Sequence, residues 1–150
     1  MSRRSSLREN KLLLDTSFLL PILGFESSDR VMEAFRKLGP YELYYNDISV
    51  LEALWKIVKV IERVEGGISR IAEGLRAMRD TMKYAPIDEG AVKSAIRMYK
   101  LGHRDMVDNL LYSIATSKGL KLLTVDGDLV NFVRKHELAA ENVILPEELS

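Results

Sequence analysis

Residues 106–128 read MVDNLLYSIATSKGLKLLTVDGD. Met106 to Lys118 carries a helical pattern, and Gly119 stands in the post-helical position where a left-handed residue closes a helix. Leu120 to Val125 is then an apolar strand, and Asp126-Gly127-Asp128 stops it before a further helix over Asp128 to Lys135. The same grammar recurs at the other end of the chain. Lys11 to Asp15 reads KLLLD, an apolar run stopped by an acid, and a short helix follows from Thr16 to Leu23. Continuous apolar runs of this length suit parallel strands covered on both faces.

Between these two units the alternation continues. A helix is expected from about Ser28 to Leu38, ending at Gly39-Pro40, and Tyr41 to Tyr45 reads as strand two. Asn46 or Asp47 opens a long helix with Val50, Leu51, Leu54, Ile57, Val58 and Ile61 on one apolar face, broken at Gly66-Gly67. Ile68 to about Met82 is amphipathic, with Ile71, Leu75 and Met78 on one side, and a short strand near Tyr84 to Ile87 follows. Ala91 to Leu101 reads as a helix, and Val143 to Leu145 as a last strand. Strands separated by helices imply a three-layer α/β/α sandwich around a mainly parallel central sheet, because parallel neighbours need crossover connections.

Composition narrows the chemistry. Among 150 residues, 22 Lys and Arg balance 22 Asp and Glu, and there is no cysteine. Disulfide scaffolds, thiolate metal sites and cysteine nucleophiles are thereby excluded. With only His103 and His136, histidine-rich metal sites are poorly supported too, which leaves carboxylates. No long apolar run or signal-peptide core is present, so a soluble cytoplasmic protein with no membrane association is expected. Residues 1–10, with Arg3, Arg4 and Arg8, read as a flexible basic arm ahead of one domain over 11–150.

Ligand sites in open α/β sheets lie outside the carboxyl ends of the strands. Asp15 ends the first strand, and Asp126 and Asp128 end LLTV, so two strands deliver acids to one edge. Glu52 falls in the first turn after strand two, and Asp105 and Asp108 begin the helix before LLTV, all within reach of that edge. Such crowding is repulsive without a cation, and it suits Mg²⁺ or Mn²⁺, hard ions that take oxygen ligands. Each acid also has a structural role open to it. Asp15 can cap the helix at Thr16, Ser49-Val50-Leu51-Glu52 has capping-box spacing, and Glu52 can pair with Lys56. Asp105 and Asp108 suit the positive end of a helix, and Asp126-Gly127-Asp128 suits a turn and cap.

The order and context of these acids resemble the PIN domain family, and within it the VapC-like toxin ribonucleases, from Lys11 to Pro146. LLLDTSFLLP holds the first acid, Asp15, followed by Thr16 and Ser17. NDISVLEALWKI holds Glu52 in the place of the family's glutamate, and DNLLYSIATSKGLKLLTVDGDL holds Asp108 and Asp126. The resemblance implies a Mg²⁺- or Mn²⁺-dependent endoribonuclease in which Asp15, Glu52, Asp108 and Asp126 are catalytic and hold the metal. Ser17 or Thr16 would bond the attacking water or a phosphate oxygen, Asp128 would supplement or replace Asp126, and Asp105 is an additional acid without an assigned role. It also implies an RNA substrate, 5′-phosphate products, a small antitoxin that inserts basic side chains near the acids, and a homodimer. A role in RNA processing needs no antitoxin.

Two other readings stay open on the same sequence: a non-catalytic PIN-like RNA-binding or assembly module, and, ranked last, a haloacid dehalogenase-type phosphatase, which needs an acid where Ser17 stands. Zero net charge requires a local basic patch for phosphate, for which Arg3, Arg4, Arg8, Lys11 and His103-Arg104 are candidates. Tyr41, Tyr44 and Tyr45 are placed to stack on bases or to pack, and Trp55 to pack or form an interface. The apolar richness of the Val50–Ile61 helix and of the Ile71, Leu75 and Met78 face is the residue-level argument for a dimer.

Overall fold

In the computed structural model, which describes residues 10–149, KLLL forms β1 (Lys11–Leu14) at the middle of a five-stranded sheet. The remaining strands are β2 (Glu42–Tyr45), β3 (Lys83–Tyr84), β4 (Lys121–Leu123) and β5 (Val143–Ile144). They lie in the order β3-β2-β1-β4-β5, and every pairing is parallel. The chain thus steps outward from β1 to β3, then crosses back to β4 on the other side of β1. That reversal makes the carboxyl ends of β1 and β4 the topological switch point, where open α/β sheets place their ligand crevice. The basic arm expected over residues 1–10 lies outside the described residues, apart from Asn10.

Helices α1 (Thr16–Ile22), α2 (Asp29–Phe35), α3 (Asp47–Ile57) and α4 (Gly67–Thr81) pack with Leu12 and Leu14 on one face. Helices α5 (Glu89–Leu101), α6 (Met106–Lys118) and α7 (Gly127–Lys135) pack with Leu13 on the other. Leu12, Leu13 and Leu14 are wholly buried, which is why β1 is apolar without alternation. Each such leucine stabilises the fold by roughly 1.5–3 kcal/mol. The expected three-layer sandwich is therefore observed, with a fully parallel sheet.

The region after strand two differs from the sequence reading. Helix α3 stops at Ile57, and a short 3-10 turn over Ile61–Arg63 follows. The run Ile57-Val58-Lys59-Val60-Ile61 is dense in β-branched side chains, which lose χ1 freedom in a helix. Gly66, at φ +70°, caps the start of α4 and does not break α3. The apolar face expected along α3 is also split. Ala53 and Ile57 are buried, whereas Leu51, Trp55 and Val58 are exposed. On α4, Met78 is buried and Ile71 and Leu75 pack against the core, so that face covers the sheet. Strands β3, β4 and β5 are shorter than their apolar runs, which continue into loops beyond the paired residues.

Candidate active site

Asp15 extends the β1 ladder by one residue, its N–H donating to Leu123 O at 3.1 Å, and then turns the chain into α1. Its Oδ1 accepts from the Thr16 N–H at 2.7 Å and its Oδ2 from the Thr124 hydroxyl at 2.8 Å. That hydroxyl also accepts from the Asp126 N–H at 3.0 Å. Wholly buried Thr124 thereby ties the end of β1 to the end of β4 across the crevice. Burial raises the Asp15 pKa, and the bonds from Thr124 and Thr16 oppose the rise. Thr124→Val keeps the shape and deletes the bridge. It is expected to destabilise the fold by about 1–3 kcal/mol and to weaken divalent-cation affinity by roughly 10–100-fold. Melting in chelator and cation titration by calorimetry measure the two effects, and unchanged affinity would remove Thr124 from the site.

Asp105 and Asp108 divide two roles that the sequence left open for both. Asp105 is the cap of α6, its Oδ1 accepting from the Asp108 N–H at 3.1 Å. The Asp108 carboxyl is therefore not the cap, and although Asp108 is only 7% exposed it meets Asp126. Asp126 caps α7, with Oδ1 accepting from the Asp128 and Leu129 N–H groups at 2.9 and 3.3 Å. Burial first, then the hydrogen bond with Asp126 and the charges of Asp15 and Asp105, push the Asp108 carboxyl up to about 10. Asp126 is lowered, chiefly by its bond with Asp108, so the two carboxyls titrate as a pair. A ring nitrogen of His103 and one oxygen each from Asp108 and Asp126 lie within 4.8 Å of one another, close enough to share a cation. The donor set fits a divalent ion, because charge that burial and mutual repulsion suppress is restored by a cation among the acids.

Glu52 stands on α3, half-buried, and acts on Asp15 through its charge. Asn46 caps that helix, its Oδ1 accepting from the Ile48 N–H at 2.9 Å, so Ser49 lies inside the helix and the capping-box reading of Glu52 does not hold. The charges of Glu52 and Lys56 both act on Asp15. The charge of Glu52 thus acts on Asp15 and that of Asp15 on Asp108, while the close group itself is His103, Asp108 and Asp126. Thr16 is buried with an unbonded Oγ1, whereas Ser17 is half-buried, which favours Ser17 as the accessible hydroxyl. Asp128 is exposed in the first turn of α7, outside the close group formed by His103, Asp108 and Asp126.

The sequence reading assigned no role to Thr124 or Asn109, treated His103 only as a loop or patch residue, and saw Lys56 only as a partner of Glu52. A hydroxyl two residues before a strand-ending acid is the one local signal that pointed to Thr124. Lys11 begins β1 and so lies at the opposite end of the strands from the acids. Tyr45 is buried and packs edge-on against Tyr84, ring centres 5.2 Å apart, while Arg104 stacks on Tyr99.

The family model of the PIN domain matches residues 12–135. The chain belongs to the PIN domain family. Solved structures share this PIN fold at low identity. FitAcB from Neisseria gonorrhoeae is 17% identical with a TM-score of 0.62, covering 92% of this chain and 99% of its own. A toxin–antitoxin complex from Klebsiella pneumoniae is 15% identical at 0.60, covering 90% and 97%. VapBC-5 from Mycobacterium tuberculosis, a member of the VapBC family of toxin–antitoxin systems, is 18% identical at 0.58, covering 91% and 97%. No curated protein matches the sequence of this PIN domain. Among the described residues, no helix is long and apolar enough to cross a membrane.

Proposed function

We propose that this PIN protein is a cytoplasmic, Mg²⁺- or Mn²⁺-dependent endoribonuclease that cuts single-stranded or looped RNA, as the toxin of a toxin–antitoxin pair. Residues 11–150 form its nuclease domain, with 1–10 as a basic arm. The observation that carries the reading is the pairing of Asp108 with Asp126 beside the ends of β1 and β4, with the charge of Asp15 acting on Asp108 and that of Glu52 on Asp15. Asp15, Asp108 and Asp126, with Glu52 beside Asp15, would hold the cation. Bound there, a divalent ion supplies positive charge against the scissile phosphate and acidifies the attacking water. Asp15 is held in place by Thr124 and the Thr16 N–H, and Asp126 by two backbone N–H groups of α7, so these carboxylates need little reordering to bind. Ser17 is placed to hydrogen-bond a phosphate oxygen or the attacking water, and Asp128 to act from the rim. The toxin assignment is supported by the fold shared with toxin–antitoxin complexes, and an antitoxin segment with basic side chains fits the acidic crevice.

Incubation of the purified protein with a structured RNA pool tests the reading. Cleavage with Mn²⁺ or Mg²⁺, none in chelator, and 5′-phosphate ends are expected. Absence of cleavage together with no rise of Tm on adding either ion would overturn it in favour of a non-catalytic module.

A homodimer is part of the proposal, and the exposed face of α3 supports it. Leu51, Trp55 and Val58 are 58%, 64% and 53% exposed at i, i+4 and i+7 on α3. Contiguous apolar surface of this kind marks interaction faces. Sedimentation at micromolar concentration is expected to give a dimer, and Trp55→Glu a monomer. A wild-type monomer would reject this part alone.

A further inference from the structure

The residue beside the acids that the nuclease reading does not use is His103. It lies in the turn between α5 and α6, and its ring is fixed from two sides. The ring packs on Phe132, centres 5.1 Å apart, and Nδ1 lies 2.5 Å from Asn109 Oδ1. Asn109, wholly buried, decides the tautomer. Its Nδ2 donates to the backbone carbonyl of His103 at 2.7 Å and faces that of Ala95 at 3.4 Å. Carbonyl oxygens only accept, so the amide cannot be turned round, and Oδ1 must face the ring as an acceptor. Nδ1 is therefore the nitrogen held by Asn109, which leaves Nε2 as the ring nitrogen open to a cation. One ring nitrogen of His103 lies within 4.8 Å of oxygens of Asp108 and Asp126, and an imidazole whose Nδ1–H is held by a buried acceptor is oriented to ligate through Nε2.

We propose that His103 Nε2 is a ligand of the cation held by Asp108 and Asp126, and that it biases the site toward a first-row transition dication over Mg²⁺. The proposal rests on the acidic cluster binding a divalent ion, as the nuclease reading requires. Mg²⁺ prefers oxygen ligands in a near-ideal octahedron, whereas imidazole nitrogen suits transition ions. An all-carboxylate site would have no such bias.

Mn²⁺ alone is the probe, because it binds without RNA and reports its ligands through its electron spin. Pulsed electron paramagnetic resonance of the wild-type protein loaded with Mn²⁺ is expected to show a directly coupled nitrogen, lost in His103→Gln. Calorimetry is expected to show Mn²⁺ affinity falling at least ~10-fold in that variant, with Mg²⁺ affinity changing less than ~3-fold. Bound Mn²⁺ without a coupled nitrogen in the wild type would overturn the His103 assignment and leave the acidic site standing. Equal loss of both ions in His103→Gln would also overturn it, as the mark of a purely structural residue. No Mn²⁺ binding by the wild type would overturn both this inference and the nuclease reading. The wild-type spectrum decides the matter even if the variant fails to fold.

Discussion

Asp108→Asn is expected to remove RNA cleavage while making the metal-free protein more stable. Loss of a residue that merely supports a metal ligand lowers activity by 10–100-fold, so loss of a ligand lowers it by ~100-fold or more. The capping alternative does not apply, because Asp105 performs that task. Stability follows from the raised Asp108 carboxyl. A carboxyl raised on folding stabilises the fold below its unfolded value of 3.8 and loses that contribution as pH climbs toward about 10. Across neutral pH the wild type is therefore losing stability at Asp108. The lowered Asp126 works in the opposite sense, adding stability above 3.8 that disappears on acidification through its folded value. Asn in place of Asp108 is neutral without the proton uptake that burial and the neighbouring acids force on the wild-type carboxyl, so Tm in chelator is expected to rise, and to rise more at pH 8 than at pH 5. Asp15→Asn should lose cleavage in the same way from a different strand, as one shared site demands. Full activity in both variants would defeat the assignment of these acids to the nuclease.

Gly74→Ala is expected to have the largest effect on folding of any single methyl added to the chain. A Cβ at Gly74 of α4 would lie 2.2 Å from the Ile22 carbonyl oxygen and 2.8 Å from Leu23 Cα, at the end of α1. Both are backbone atoms, so no side-chain rotation relieves the overlap, and α4 must move away from α1. Overpacking costs about 1–3 kcal/mol, occasionally more. The gain in helix propensity, about 0.5–1 kcal/mol, is smaller. A fall in Tm of roughly 5 °C or more is therefore expected. Gly39→Ala, with nothing within 4 Å of the added methyl, is the control and should stay near the wild-type value. Because α1 begins at Asp15, a displaced α1 should also weaken cation binding. A Gly74→Ala protein with unchanged Tm would show that the two helices do not need this close approach.

Much of this PIN domain was legible along the chain because the relevant signals are local. KLLLD and LLTVD each contain a buried parallel strand and the acid that ends it within five residues, and Gly119 marks where α6 must close. Two such strands in an alternating chain were enough to place Asp15 and Asp126 at one edge, and the order of the four acids was enough for the family. The division of labour among the acids was not legible. Capping and ligation ask for the same residue types at the same helix ends, so only the observed bonds separated Asp105 from Asp108 and ruled out Ser49 as the cap before Glu52. Other decisions belong to contacts with no local trace. Thr124 bonds Asp15 across 109 positions of sequence, and Gly74 is required by the backbone of a helix some fifty residues earlier. The buried amide of Asn109 holds Nδ1 of His103 from six positions along the chain. Local periodicity specifies which strands form and where their acids fall, whereas carboxyl pairing, imidazole orientation and close helix approach depend on atoms that meet only after the sheet has closed and water has been excluded.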